Sequence, residues 1–479
     1  MLDRLYSWIT GRFTRRQRRL HRQRAAVREF QSRLSARYDA AQTTAENEKH
    51  WAQADGFSPD WAMNPGVRRT LVIRSRYERD NNCYASGIVD TMVNDLVGTG
   101  PRLQVQESDP IFKAAVETRW KEWTEAIGFA EKLRTYTGAY FVDGEGISQF
   151  FDNPKVNDPV SLDFQLIETD RLTTPGVIAY NDYAVDGIDF DFYGNPKWYH
   201  LLRHHPGDYG AMWGDVDNIP PAFLTHWFKK IRPSQSRGIP WFTPSLPLFA
   251  QLRRYTLAVL TAAEIAANHA AVIETDMRPG EEDVDDADAF KEFAITRGLL
   301  TALPAGTKMG QFDAKQPVNT YEMFKRELIT EIARALCVPY NIAAGTSMNY
   351  NYSSGRLDHL IYFNMVRVLR ESLRLVKVKP TFSLWYKMGC TVDGYFPAVA
   401  NKVIPKHTWH WDSRRSIDPE KDAKADTERL NNGTATLAEI YAEDGKDWEE
   451  QMAQRFRERQ IMARQEANLL ALGGIPNAA

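Results

Sequence analysis

Between Ala335 and Gly355 the chain runs for 21 residues without a charge, and long helical patterns flank the run on both sides. Charged residues make up 25% of the chain, so so long a neutral stretch needs a reason. It contains Pro339, Gly345 and the string Asn349-Tyr350-Asn351-Tyr352-Ser353-Ser354-Gly355. These residues predict an uncharged polar loop with Asn, Tyr and Ser at its tip. The helix before it is expected over residues 320–338. Tyr321, Phe324, Leu328, Ile332 and Leu336 form one apolar stripe there, with Glu322 and Arg326 as an i,i+4 pair. The helix after it is expected from Arg356 to Lys379, stopped by Pro380. Along it Arg367, Arg370, Arg374 and Lys377 recur at three and four residues and share one basic face, which meets DNA, an acidic neighbour or solvent.

A third long helix is expected from about Thr243 to Ile273. It carries Ala258, Ala262, Ala263, Ala266, Ala267 and Ala270, small enough for a neighbouring helix to approach, whether in the same chain or in another copy. Glu264, Asn268 and His269 make it a buried helix of a soluble protein and not a membrane span. Further helices are expected over 67–97, closed by Gly98-Thr99-Gly100-Pro101, and over 111–140. Between 146 and 227 the pattern turns to strands. Ser161–Ile167 alternates, and Ile188–Phe192 with Lys197–Leu201 read as a hairpin around Tyr193-Gly194-Asn195-Pro196. Residues 418–479 are helical, with Thr436/Glu439 and Asp447/Glu450 at cap-box spacing. The fold class is therefore α+β, mostly helical.

Charge and motifs exclude several functions. Sixty Lys and Arg against 62 Asp and Glu leave a formal charge of -2, which argues against a surface that grips nucleic acid everywhere. The Arg-rich start (Arg15, Arg16, Arg18, Arg19, Arg22, Arg24, Arg28) is a solvated arm or one that faces phosphates or a membrane. Cys83, Cys337 and Cys390 lie too far apart in sequence for a disulfide framework or a zinc knuckle, which suits a reducing interior. No GxxxxGK[ST], HExxH or GxSxG occurs. His200, His204 and His205, and likewise His407, His410 and Asp412, are read as hydrogen-bonding residues and not metal ligands. Asp189 and Asp191 read as the solvent face of the hairpin; a metal-dependent DNA-processing enzyme built on them with His200 is the alternative. The acidic run Glu281, Glu282, Asp283, Asp285, Asp286 and Asp288 lacks the glycine of an EF-hand loop and reads as a repulsive surface. No catalytic, cofactor or metal residue is assigned, and the chain is not read as an enzyme.

Several strings, in order over about 65–460, add up to a resemblance. Arg74-Ser75-Arg76-Tyr77-Glu78-Arg79-Asp80-Asn81-Asn82 with Val97-Gly98-Thr99-Gly100 is similar to the start of the lambda-family phage portal proteins. So are Gly187-Ile188-Asp189-Phe190-Asp191 with Gly194-Asn195-Pro196 and His205-Pro206-Gly207-Asp208. His226-Trp227, Arg232-Pro233-Ser234-Gln235-Ser236-Arg237-Gly238-Ile239-Pro240, Asn351-Tyr352-Ser353-Ser354-Gly355-Arg356 and Ile417-Asp418-Pro419-Glu420-Lys421 continue the pattern, and Gly433 and Gly445-Lys446-Asp447 complete it.

The resemblance implies a ring, usually of twelve copies, at one capsid vertex of the virion, assembled in the host cytoplasm. Double-stranded DNA would enter and leave through it. Its partners would be the terminase large subunit, the major capsid or scaffolding protein and a head-completion or tail adaptor protein, with no membrane. It further implies a wing at 65–242, stem helices at 243–275 and 319–338, a clip at 276–318, a tunnel loop at 339–355, a wing–crown connection at 356–415 and a crown at 416–479; the Arg-rich segment 1–64, which reads as a helical arm from its own residues, is not covered by the resemblance. Asn349, Tyr350, Asn351, Tyr352, Ser353 and Ser354 would face DNA. Arg356, Arg367, Arg370, Arg374 and Lys377 are candidate DNA or subunit contacts, and the acidic run 281–288 is a candidate partner surface of the clip. A peripheral nucleic-acid binder led by the arm is the remaining alternative.

Overall fold

The computed structural model describes residues 48–174, 183–208, 216–267, 271–275, 307–311, 320–348, 350–397, 403–412, 419–443 and 445–471. The Arg-rich cluster at 15–28, the acidic run at 281–288 and Asn349 lie outside the described residues. The chain divides into two compact units, Met1–Ala62 and Met63–Ala479. In the first, the described part ends in a single helical turn, α1 (Pro59–Ala62), opened by Ser58, whose hydroxyl accepts from the Trp61 amide at 3.3 Å.

The second unit opens on α2 (Pro65–Asn81) and α3 (Cys83–Val97), where the pattern predicts one helix. Asn82 divides them by leaving helical geometry at φ -120° and ψ 114°. Its amide still closes α2 onto the Glu78 carbonyl at 2.9 Å, while its side-chain oxygen accepts from the Tyr84 amide at 3.1 Å and starts α3. An Asn side chain that bonds local backbone offers an alternative to continuing a helix, and a periodicity count does not register it. The strand β1 (Arg102–Val105) follows, paired antiparallel with the much later β11 (His407–His410). Helices α4 (Pro110–Ala126) and α5 (Phe129–Val142) occupy the segment expected to be helical.

Two antiparallel sheets come next. In the first, β2 (Glu145–Asp152) lies between β3 (Leu162–Ile167) and β8 (Leu224–Phe228). The second has the order β4 (Ala184–Val185), β5 (Ile188–Phe190), β6 (Pro196–Leu202) and β7 (Val216–Ile219). Strands β5 and β6 are the hairpin expected from the alternation. The preceding hairpin, β4–β5, turns on Asp186-Gly187, both at positive φ (35° and 89°), the backbone that a two-residue turn between twisted strands requires.

Helix α6 (Leu246–Ala267) is shorter than the expected 243–273. After it Ala271–Thr275 is a strand, β9, paired antiparallel with β10 (Thr307–Gln311). Val272, Ile273 and Thr275 are β-branched, which favours the pleated form over a helix. Helix α7 (Thr320–Ala335) ends where Cys337 takes φ 58° and the Val338 amide closes back on Ala333.

A short α8 (Tyr340–Ala344) and then α9 (Tyr352–Leu373) follow. Pro380 does not end this last helix. The chain widens into a π segment, Arg374–Val378, and continues as α10 (Lys379–Gly389). Lys379 donates to the Arg374 carbonyl five residues back, so the wider turn takes up the proline that an α-helical ladder would reject. The C-terminal helices are α11 (Pro419–Asn431), α12 (Leu437–Glu443) and α13 (Trp448–Ala471). The Thr436/Glu439 capping box forms with both bonds present, at 2.9 and 3.2 Å.

The main core is rich in aromatic rings. Trp120 of α4 has its ring centre 5.1 Å from those of Trp123 and Trp385, 5.4 Å from Phe382 and 5.5 Å from Trp409. This cluster locks α4, α10 and β11 together, joining segments nearly 300 residues apart. Tyr140 stacks on Trp227 at 3.6 Å and 8° between planes, which seats α5 on β8. A smaller core of Ile147, Ile167, Leu172, Ile188, Tyr199, Leu201 and Leu224 joins the two sheets. Among the described residues no helix is long and apolar enough to cross a membrane.

Candidate functional site

The charge-free segment is more ordered than a loop. Leu336, Val338 and Ala343 are buried, and α8 takes up its first half. The Asn341 amide nitrogen lies 2.8 Å from His359 Nε2, tying α8 to α9. Tyr352, Ser353 and Ser354, expected in the loop, form the first turn of α9. Asn351 is the cap of that helix: its side-chain oxygen accepts from the Ser354 amide at 2.8 Å, and Ser354 Oγ donates to the Asn351 carbonyl at 3.1 Å. Asn-x-x-Ser before a helical run is an N-cap spacing, and the sequence carried it in plain view. The exposed tip is thus Ser347, Met348, Asn351, Ser353 and Ser354, with Tyr350 half-buried between α8 and α9. Burial, together with the Asp358 carboxylate, pushes the Tyr350 hydroxyl above its usual range.

The expected basic face does not exist as one surface. Arg356 and Arg367 are exposed, and Arg356 reaches Asp422 at 3.8 Å. Arg370 points inward and caps the C-terminal end of α3, donating to the Leu96 carbonyl at 3.1 Å and the Asp95 carbonyl at 2.8 Å. Arg374 forms a two-bond pair with Glu371 at 2.6 and 2.7 Å. Lys377 is fully buried, so it is not a DNA or subunit contact. The π segment accounts for the place of Lys377. It inserts a residue into the helical repeat, so positions before and after it no longer share a face.

Lys377 ends among rings. Its Nζ lies 3.4 Å from the Phe164 ring centre and 4.6 Å from that of Phe150, and donates to Ser148 Oγ at 2.6 Å. Ser148 Oγ also meets Thr225 Oγ1 at 2.7 Å. Burial, aided by Lys132, holds the Lys377 amine well below the usual lysine range, with Asp163 opposing.

A second buried polar group was not anticipated. Glu145 opens β2 with no exposed side-chain surface, and Arg237 and His226 beside it are almost as enclosed. The Arg237 guanidinium bonds Glu145 Oε1 at 2.5 Å, the Leu172 carbonyl at 2.8 Å and Asp186 Oδ2 at 3.1 Å. Arg68 of α2 joins from the other side, reaching Asp186 Oδ2 at 2.8 Å and Thr169 Oγ1 at 3.1 Å. His226 Nε2 lies 2.9 Å from Glu145 Oε2, and the Gly238 amide donates to the same oxygen at 3.0 Å.

Burial alone would raise the Glu145 carboxyl, but Arg237 and His226 outweigh it and hold it well below its usual range. Burial lowers His226, which is neutral in consequence despite Glu145. Two guanidinium groups therefore face two carboxylates. A side chain at Gly238 would overlap the Gly144 carbonyl, and one at Gly144 the Ile239-Pro240 backbone, so both positions need glycine for this close approach. The network ties α2, the sheet, the Asp186 turn and the segment leading to α6 into one piece. Its sequence signals were Gly-Glu-Gly at 144–146, Asp-Gly at 186–187 and Arg-Gly at 237–238.

The other candidates do not converge on a reaction site. Asp189 pairs with His200 Nε2 at 3.1 Å across the hairpin. Asp191 spends its oxygens inside the turn, on the Tyr193 and Asn195 amides at 2.9 and 2.8 Å and the Asn195 side chain at 3.0 Å. The enzyme alternative thus loses its second carboxylate. His407, His410 and Asp412 point to separate partners: the Pro405 carbonyl, Gln104 Oε1, and the Thr99 amide and hydroxyl. Glu168, Asp170 and His205 bring ligand atoms close together, and the Arg76 guanidinium already supplies a cation there, 2.9 Å from Asp170 Oδ2.

Comparison with known proteins now bears on these features. The portal protein of Escherichia phage N15 is 22% identical over 461 residues, covering 84% of this chain and 86% of that protein. Portal protein B of Escherichia phage lambda is 20% identical over 445 residues, covering 81% and 83%. Among solved structures, a chain from the neck of the empty gene transfer agent particle aligns at a TM-score of 0.45 and 14% identity, covering 82% of this chain and 95% of that one. The model of the family described as phage portal protein, lambda family, matches residues 45–370, well over half of the chain. The chain belongs to the lambda family of phage portal proteins.

Proposed function

We propose that identical copies of this chain close into a ring, of twelve subunits, at one vertex of the capsid, and that double-stranded DNA passes through its centre during packaging and ejection. The ring supplies no chemistry of its own. A separate terminase drives the DNA, and head-completion or tail proteins dock after filling. Assembly takes place in the host cytoplasm. On this reading residues 65–242 form the wing, 243–275 and 319–338 the stem, 276–318 the clip, 339–355 the tunnel loop and 356–479 the connection and crown.

The observation that carries the reading is the neutral tip between α7 and α9. A wall that passes DNA must not hold it, and each Lys or Arg that neutralises a phosphate adds a salt-dependent binding contribution. The tip offers Ser, Asn and Met to solvent and no charge. Ring closure has support too. Helix α6 leaves Leu257 58% exposed and Leu260 54% exposed, with Ala258 and Ala263 open beside them. These residues are not packed within the chain, which favours their service between copies over the reading as an intrachain core.

The test adds charge to the tip without touching the Asn351 cap. Met348→Lys with Ser353→Lys is expected to lower DNA packaging into empty capsids on the order of tenfold at low salt, with partial recovery as salt rises. Ring formation should be unaffected. Unchanged packaging at low salt would remove the tip from the DNA path.

A further inference from the structure

A solvent-open recess of about 420 Å³ lies where the π segment and α10 meet the chain entering β11. Gln106, Arg374, Lys379, Ser383, Ile404, Pro405, Lys406 and His407 line it, and no carboxylate does. Cations come from three separate stretches of chain: Arg374 from the π segment, Lys379 from the start of α10 and Lys406 from the residue before β11. The backbone holds these stretches in register, since the Gln106 amide donates to the Lys406 carbonyl at 2.7 Å and β1 pairs with β11 just beyond.

Two carboxylates lie at the rim, each against a lining residue. Glu371 is held by the Arg374 fork, and Glu107 Oε1 accepts from the Lys406 backbone amide at 3.3 Å. Among the described residues neither Lys379 nor Lys406 has an acidic group within ion-pair distance. Ser383, one turn after Lys379, spends its hydroxyl proton on the Lys379 carbonyl at 2.8 Å, and Gln106 adds an amide. Burial lowers His407, and Arg374 and Lys379 lower it further, with its Nδ1 bound to the Pro405 carbonyl at 2.8 Å. The recess thus sets three cations against two carboxylates at its rim, and its two exposed lysines, unpaired among the described residues, are open to an anion with several acceptor oxygens.

We propose that this recess binds a phosphate group, held by Lys379, Lys406 and the outer edge of Arg374. A DNA phosphodiester and free inorganic phosphate share this chemistry. The DNA form rests on the portal reading above and deepens it. A channel that lets a duplex slide needs a weakly binding wall, so firm contact with DNA belongs at a different place, and this recess has the charge for it.

The experiment uses the assembled full-length protein and the double variant Lys379→Ala with Lys406→Ala. Lys121→Ala with Lys197→Ala, two exposed lysines elsewhere, serves as the control. One arm measures affinity for a 30-base-pair duplex across a salt series. The other measures thermal stabilisation by inorganic phosphate against chloride at equal ionic strength. If DNA is the ligand, the recess variant lowers duplex affinity about tenfold or more and reduces the salt slope by about 2, while the control does neither. If free phosphate is the ligand, phosphate stabilisation disappears and duplex affinity stays. Equal losses in the recess and control variants, or no change in either arm, overturn the proposal. Packaging by the same recess variant separates the two claims: rings that pack normally with neither probe altered sink the recess alone, and failure of the wild-type chain to form rings sinks the channel reading whatever the recess binds.

Discussion

Arg237→Ala destabilises the protein by about 3–5 kcal/mol, the range for removing one partner of a buried ion pair. The size follows from what is left behind. Glu145 remains in β2 with no exposed side-chain surface, and Asp186 keeps only Arg68. The Leu172 carbonyl and Thr169 also lose a donor. Arg237→Lys keeps the charge but cannot reproduce the fork onto Glu145 and Asp186, so it should fall between the two.

The network also sets an acid limit. Glu145 titrates well below its ordinary value of 4.5 in the folded chain, so its contribution is complete above that value and is lost as pH falls through the folded pKa. His226 is lowered from 6.5, so the unfolded chain binds its proton first and stability declines as pH drops below about 6.5. Urea midpoints of wild type and variant across pH 2 to 8 check both statements. A loss under 1 kcal/mol for Arg237→Ala would mean that the network does not hold these elements together.

Lys377→Met has the opposite sign and is expected to stabilise by about 1–4 kcal/mol near neutral pH, because burial disfavours the protonated amine that the unfolded chain keeps. Methionine fits the ring-lined space of Phe164, Phe150 and Tyr136, and Ser148 keeps its bond to Thr225. The amine holds its proton less tightly in the fold than in the unfolded chain, whose ordinary value is 10.5, so the wild type gains stability as pH rises toward that value. The gap between variant and wild type should therefore be wide at pH 6 and narrow by pH 10. A variant less stable at every pH would show that the Ser148 bond and the rings outweigh the desolvation of the amine.

The two residues mark how far the sequence could be read. Periodicity and caps located the helices, the β5–β6 hairpin and the Thr436/Glu439 box, because those signals are local. Helix breaks were harder. Asn82 ends a helix by bonding its own neighbourhood, and Pro380 fails to end one because the π segment shifts the register ahead of it. That same shift sent Lys377 into the core while a count of threes and fours placed it outside. The Glu145–Arg237 network joins residues 92 apart, and no spacing rule links them. Its glycines were visible only as turn signals. The neutral run 335–355 was legible as a feature and the Asn-x-x-Ser cap spacing at Asn351 was there to be read, but its packed first half was not, since apolar Ile342 and Ala343 in a short helix resemble any small-residue loop.

The central claim is that copies of this chain surround a hole wide enough for a duplex. Electron micrographs of the purified assembly, with its mass measured on the same sample, address it most directly. The account predicts closed rings with an open centre and, for twelve copies of the 54.8 kDa chain, a mass of about 660 kDa. Solitary particles near the mass of one chain, with no central opening under conditions that assemble capsids, would contradict it.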